Sequence, residues 1–210
     1  MPLLRFAFLL LTAALVACSS PPVEDEATFV RETDAFRAAK DEAFRQPGSP
    51  VPPDRQDVFL PLSYYPPSIE CQVPESLRIA REQPATHMPT STGQVRTMRL
   101  VGTLEFMLKG QSLSLGAFVD ANSGSVDRLF VPFTDLTSGR ETYAAGRYLD
   151  LDRTATGIYV IDFNRAYNPY CYYDPSYDCP YPPPGNRLNV AIEAGERVRP
   201  EAVAPADSTR

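Results

Sequence analysis

"TMRLVGTLEFMLKGQSLSLGAFVD", residues 97–120, holds two runs of alternating apolar and polar residues on either side of Gly110 and Gln111. In the first run Met98, Leu100, Gly102, Leu104, Phe106 and Leu108 alternate with Arg99, Val101, Thr103, Glu105, Met107 and Lys109. In the second, Leu113, Leu115, Ala117 and Val119 do the same. A period of two places every other side chain on one face of a strand, so the spacing predicts two strands with one buried side. The Lys-Gly-Gln junction is a tight turn, which makes the pair a hairpin.

Working outward, "ANSGS" (121–125) supplies the next turn and "DRLFVPF" the next strand, with Leu129, Val131 and Phe133 on one face. "RYLDL", "GIYVIDF" and "RLNVAIEAG" read as three more strands, the last with Leu188, Val190 and Ile192. Upstream, Phe59–Leu62 and Ile69–Val73 read as short strands flanked by prolines that sheet edges tolerate. Strands at short regular spacing, joined by Gly, Asn and Asp turns, predict an antiparallel β-sandwich or partly closed β-barrel. The one long helical pattern precedes them. In "EDEATFVRETDAFRAAKDEAFR" (24–45), Phe29, Thr33, Phe36, Lys40 and Phe44 fall on one face, and "QPGSP" ends the run. The spacing predicts an amphipathic N-terminal helix packed on the sheet.

The first 17 residues, "MPLLRFAFLLLTAALVA", carry one charge, Arg5, ahead of an apolar run too short for a permanent span. They read as an export signal, and "LVAC" (15–18) resembles a bacterial lipobox. That resemblance implies cleavage before Cys18 and acylation there, where each buried methylene contributes about 0.8 kcal/mol to membrane attachment. The expected organisation is a lipoprotein signal peptide over 1–17, a tether over 18–27, one β-rich domain over 28–197 and a flexible tail over 198–210. The expected location is the cell envelope, on an outer membrane facing the periplasm where one exists.

The chain has 26 acidic against 20 basic residues and no Lys/Arg block, which argues against a nucleic-acid partner. With Cys18 acylated, Cys71, Cys171 and Cys179 remain. Cys171 and Cys179 enclose seven residues, including Pro175, within "NPYCYYDPSYDCPYPPPGN" (168–186). In an oxidising compartment they are the candidate disulfide, worth about 2–3 kcal/mol on the loop-entropy model. The spacing is long for a zinc knuckle, and the single histidine, His87, lies in an expected loop, so no metal site and no cofactor are expected.

Two blocks concentrate polar chemistry. In "SGRETYAAGRYLD" (138–150), Arg140 and Arg147 flank Tyr143, with Tyr148 beyond. Guanidinium forks beside aromatic walls suit a carboxylate or phosphate. They equally suit pairing with Asp135, Glu141, Asp150 or Asp162, which would staple a turn to the sheet. In "DFNRAYNPY" (162–170), Asp162, Asn164, Tyr167 and Asn168 follow a strand, and Asn186 closes the tyrosine loop. Those tyrosines, Tyr170, Tyr172, Tyr173, Tyr177 and Tyr181, either seal the open end of the sheet or line a pocket.

"LFVPFTDLTSGRETYAAGRYLDL" (129–151) and "DFNRAYNPYCYYDPSYDCPYPPPGNRLNVAIEAGE" (162–196) resemble the paired signatures of domain-of-unknown-function family 1684. The resemblance implies a compact β-rich domain and assigns no activity. The reading that follows is a lipid-anchored binding or accessory module for a small anionic or polar ligand or a partner protein. Its candidate residues are Arg140, Tyr143, Arg147, Tyr148, Asp162, Asn164, Tyr167, Asn168 and Asn186. The alternatives are a hydrolase or transferase using Asp162 with Tyr143, and a structural envelope subunit.

Overall fold

A computed structural model describes residues 25–199. The signal segment, Cys18 and residues 200–210 lie outside them. The order of elements is helix α1 (Glu26–Arg45), a single helical turn α2 (Gln56–Phe59), and strands β1 (Gln72–Glu75), β2 (Arg78–Ile79), β3 (Ala85–Pro89), β4 (Val95–Leu108), β5 (Gln111–Asp120), β6 (Arg128–Phe133), β7 (Arg147–Asp152) and β8 (Tyr159–Asp162). All strand pairings between these elements are antiparallel. The larger sheet runs β2-β4-β5-β6-β7 with β3 also on β4, and β1 pairs with β8 in a second, two-stranded sheet. The fold is mainly β with one long N-terminal helix, as the alternation implied.

Between the two sheets lies one apolar core. β4 contributes Leu104 and Phe106, β5 Leu115 and Ala117, β6 Leu129 and Val131, β7 Leu149, and β8 Ile161. Side chains of this size contribute roughly 1.5–3 kcal/mol each when fully buried. The β4–β5 hairpin departs from strict alternation at one point. A bulge between Leu100 and Gly102 lets Val101 enter the main core with Leu104, while Met98 and Leu100 join Phe118 and Met88 in a small cluster of their own. One extra residue in a strand turns everything before it to the opposite face. Gly102 is required here, because a Cβ would stand 2.2 Å from the Arg78 carbonyl oxygen of the crossing β2.

Other expectations change too. Phe59, expected to open a strand, ends the helical turn α2, and Ile69–Cys71 form a 3-10 turn before β1. His87 lies on β3, exposed, with Nδ1 3.1 Å from Thr97 Oγ1 across the ladder, and not in a loop. Leu188, Val190 and Ile192 are buried, yet their segment forms no strand. It is held by the Leu188 N–H donating to the Thr134 carbonyl (2.8 Å) and the Leu136 N–H donating to the Val190 carbonyl (3.1 Å). Val198 and Arg199, at the head of the expected tail, hydrogen-bond to the domain: the Val198 N–H donates to the Glu141 carbonyl and the Arg199 N–H to the Tyr172 hydroxyl, both at 3.0 Å.

α1 packs on loops more than on a sheet face. Phe44 joins Val51, Phe59, Leu60, Leu62 and Tyr173 in a second apolar cluster. Arg165 lies over the Phe36 ring at 4.6 Å, and Asp41 accepts from the Leu62 N–H at 2.8 Å. The helix thus forms one wall of the region where the tyrosine loop emerges. Among the described residues no helix is long and apolar enough to cross a membrane.

Candidate functional site

Arg147 sits at the start of β7 with no exposed surface. Its Nη2 donates to Asp135 Oδ2 at 2.7 Å and to the Ile192 carbonyl at 2.8 Å, and its Nη1 donates to the carbonyls of Ala194 and Glu196. Asp135 is occupied in turn by the Thr137 N–H (2.6 Å) and hydroxyl (2.5 Å). This guanidinium is a clamp: it closes the loop between β6 and β7 and fixes the strandless C-terminal segment. Arg140, in the same loop, is exposed.

The asparagines and Asp162 are also committed to the backbone. Asn164 is fully buried and meets Ser68 as a peptide would, its Oδ1 accepting from the N–H and its Nδ2 donating to the carbonyl, each at 2.8 Å. Asp162 Oδ1 accepts from the Asn164 N–H and Nδ2, and its other oxygen lies 3.3 Å from Arg165 Nε. Asn186 bridges β5 and β6 where their own pairing is limited to Phe118 with Phe130. It accepts from the Gly116 N–H (2.7 Å) and donates to the carbonyls of Gly116 (2.9 Å) and Pro132 (2.7 Å). Asn168 donates its N–H to Glu196 Oε2 at 2.7 Å. Tyr143 packs against the Tyr172 ring at 5.2 Å, whereas Asp162 neighbours Asn164 and Arg165, so the pair considered for acid–base chemistry is divided between different surroundings.

Glu196 is a buried carboxylate that pattern reading placed next to the tail. It is 1% exposed, pairs with Lys40 of α1, and accepts from the Tyr173 hydroxyl at 2.6 Å. Burial, with the Glu196 charge beside it, pushes the Tyr173 phenol well up, so it remains a donor. The backbone reaches this point through Gly195, at φ +78, where a Cβ would stand 2.6 Å from two carbonyl oxygens.

What stays open is a groove between α1, β7, β8 and the tyrosine loop. A cavity of about 260 Å³ is lined by Tyr148, Tyr167, Tyr170 and Tyr177 with Arg96 and Asp178 at its mouth, and Cys179 also lines it. Tyr167 and Tyr170 separate it from a second cavity of about 420 Å³, which Phe36, Phe44, Lys40 and Arg165 help to line. Asp150 and Arg165 in turn adjoin a third, of about 290 Å³, beside Asp152 and Asp162. The Tyr148 hydroxyl donates to the Pro180 carbonyl at 2.5 Å and the Tyr167 hydroxyl to Asp150 Oδ2 at 3.0 Å, which fixes both rings. Burial raises both phenols far above their usual range, so the walls are neutral.

Behind this wall the Cys171 N–H donates to Cys179 Sγ at 3.1 Å, and both residues are thiols in this structure. The hydrogen bond with Cys179 lowers the Cys171 thiol to about 7, while Cys179 is pushed up. Cys71, buried elsewhere, is also raised, chiefly by burial.

The model of the family described as "Protein of unknown function (DUF1684)" matches residues 57–197. The chain belongs to this family. The solved structures include a relative at 36% identity, the uncharacterized protein of Haloarcula marismortui determined by solution NMR; the likeness covers 80% of this chain and 93% of that one, with a TM-score of 0.63. No curated protein matches. The family match begins within α2 and ends just after Glu196, so it spans the clamp, the asparagine bridges and the tyrosine loop, but not α1.

Of the nine residues singled out from sequence, only Tyr148, Tyr167 and Asp162 border these cavities. Lys40, Arg96 and Arg165 were passed over, because each is brought to the groove from a different element. For Lys40 there was a signal: it occupies the inward face of α1 between Phe36 and Phe44, where a cation needs a partner.

Proposed function

We propose that this family member is an exported, lipid-anchored binding module that takes a small polar ligand in the groove between α1 and the tyrosine loop. The observation that carries the reading is the run of adjoining cavities sharing Tyr167, Tyr170, Asp150 and Arg165 as common walls. Concave, aromatic-walled space with a few convergent charged groups is the usual form of a small-molecule site. Arg165, which meets Asp162 through Nε and is otherwise exposed, is the cation that would meet an anionic group of the ligand.

Export and anchoring rest on the leader and the lipobox at Cys18, from which the tether would hold the domain at a membrane surface. In that compartment Cys171 and Cys179 would close as a disulfide by exchange with an oxidised dithiol carrier, their two thiols becoming one bond and the carrier being reduced.

The binding reading is tested by calorimetry of the full-length protein in a non-ionic detergent with acetate, inorganic phosphate, glucose, glycine betaine and choline. At least one probe is expected to bind, about tenfold more weakly in Tyr170→Ala or in Arg165→Ala. Silence across the panel, or variants that bind undiminished, would remove the groove as a site. Anchoring is tested by fatty-acid labelling, expected for the wild type and lost in Cys18→Ala.

A further inference from the structure

The cavity on the Arg96 side of the groove has a chemistry of its own. Tyr148 and Tyr167 meet with ring centroids 5.7 Å apart at 87°, and Tyr170 and Tyr177 at 5.4 Å and 77°. Rings set at near right angles cannot stack flat on one another, and all four border the same space. At about 260 Å³ that space is just under the usual size of a drug-like site and suits a compact head group. The ring face carries the negative end of the aromatic quadrupole. Several such faces around one cavity attract a cation, and weakly hydrated quaternary ammonium ions are the ligands that such boxes take.

The polar groups narrow the choice. Asp178 pairs with Arg96 at 3.6 Å, accepts from the Thr92 hydroxyl at 2.5 Å, and gives its carbonyl to Arg96 Nη2 at 3.0 Å. Its carboxylate is therefore spent, and Arg96 is largely neutralised at the rim. The hydroxyls of Tyr148 and Tyr167 are engaged by Pro180 and Asp150. A primary ammonium entering here must exchange its water for the few phenol oxygens on the walls, whereas a trimethylammonium group has no N–H donor to satisfy and can rest against the rings alone. Beyond Tyr167 and Tyr170 the adjoining cavity is lined by Lys40, Arg165 and Asp150. Lys40 is paired with the buried Glu196 and lies over the Tyr167 ring at 4.8 Å, whereas Arg165 meets Asp162 through Nε and is otherwise exposed, so Arg165 is the cation left for the opposite sign.

We propose that the tyrosine cavity holds a methylated ammonium head group, and that the ligand is a zwitterion whose carboxylate or phosphate lies towards Arg165. This rests on the binding function proposed above and names its ligand class.

The test is calorimetric titration of the full-length protein in a non-ionic detergent with glycine betaine, phosphocholine and choline, against ethanolamine and 3,3-dimethyl-1-butanol, the neutral carbon counterpart of choline. The three trimethylammonium probes are expected to bind at least about tenfold tighter than either control. Tyr177→Leu is expected to lose that preference and Tyr177→Phe to keep it, with thermal unfolding confirming that both are folded. Arg165→Ala is expected to bring glycine betaine and phosphocholine down to choline. A betaine preference points to a free solute, a phosphocholine preference to a lipid head group. Equal binding of 3,3-dimethyl-1-butanol, or an unchanged Tyr177→Leu, would overturn the cage. If phosphate or glucose binds the groove while no ammonium does, the ligand class falls and the binding function stands; if nothing binds, both fall.

Discussion

The Arg147 clamp and the tyrosine groove both use arginine and aspartate, and both draw on the same strand, β7, through Arg147 and Tyr148. In the clamp almost every polar atom ends on backbone: four donations from one guanidinium reach Asp135 and the carbonyls of residues 192, 194 and 196. In the groove the polar atoms are used to fix rings, and the rings are left facing space: Tyr170 is 42% exposed and lines two cavities. The difference teaches that an Arg–Tyr motif does not announce a site. Its role is decided by whether the fold needs those donors to satisfy carbonyls that no strand has paired. The 188–196 segment is such a need, because it is buried but outside the ladders, and buried carbonyls require partners.

That contrast is most easily broken at the clamp. Arg147→Met removes one partner of a buried ion pair and strands Asp135, so urea unfolding is expected to show a loss of about 3–5 kcal/mol. A loss below about 1 kcal/mol would mean that the clamp does not hold the C-terminal segment. Asn186→Ala, which deletes the bridge between β5 and β6, is expected to cost about 1–3 kcal/mol through the backbone groups left unpaired. Its cost should exceed that of Arg140→Ala, which touches an exposed residue and is expected to stay within about 0.5 kcal/mol.

The groove should answer in the opposite way. Tyr170→Ala is expected to change stability by less than about 1 kcal/mol in urea, since much of its ring is already exposed, while ligand binding falls about tenfold. The smallest effect is chemical. With its thiol lowered to about 7 by the hydrogen bond with Cys179, Cys171 becomes thiolate as pH rises through that value. Alkylation of the reduced protein by iodoacetamide, followed by mass spectrometry, is expected to speed up at Cys171 between about pH 6 and 8, and at Cys71 and Cys179 only at higher pH. Equal profiles for all three would contradict the hydrogen-bonded pair.

Much of the fold was legible in the chain because alternation survives wherever a strand has one wet and one dry face. Leu104 to Leu108 and Leu115 to Val119 read correctly for that reason. The reading slipped at Leu100, where the bulge adds a residue that no period reveals, and at Leu188 to Ile192, where alternate burial came without a ladder partner. Two prolines and several small polar residues make the surroundings of His87 read as a loop, yet the long β4 supplies a neighbour that outweighs those local signals.

Less of the site was legible. Tyr148 and Tyr167 were noted for being near arginines, and the loop tyrosines divided by burial: Tyr173 seals the second cluster, while Tyr170 and Tyr177 line the groove. Nothing in the local sequence could separate those roles, because burial depends on where α1 lands. Glu196 was missed for a related reason. A lone glutamate before a polar run reads as solvated, and its partners inside, Lys40, the Tyr173 hydroxyl and the Asn168 N–H, are all distant in sequence.

The central claim is that ligand contact belongs to the tyrosine walls and not to the arginine loop. Titrating the full-length protein, labelled at its tyrosine ring carbons, with glycine betaine and following the ring resonances by NMR tests this directly. Shifts concentrated on Tyr148, Tyr167, Tyr170 and Tyr177, with Tyr143 and Tyr159 unmoved, are the expected result; shifts centred on Tyr143, or none at saturating betaine, would contradict it.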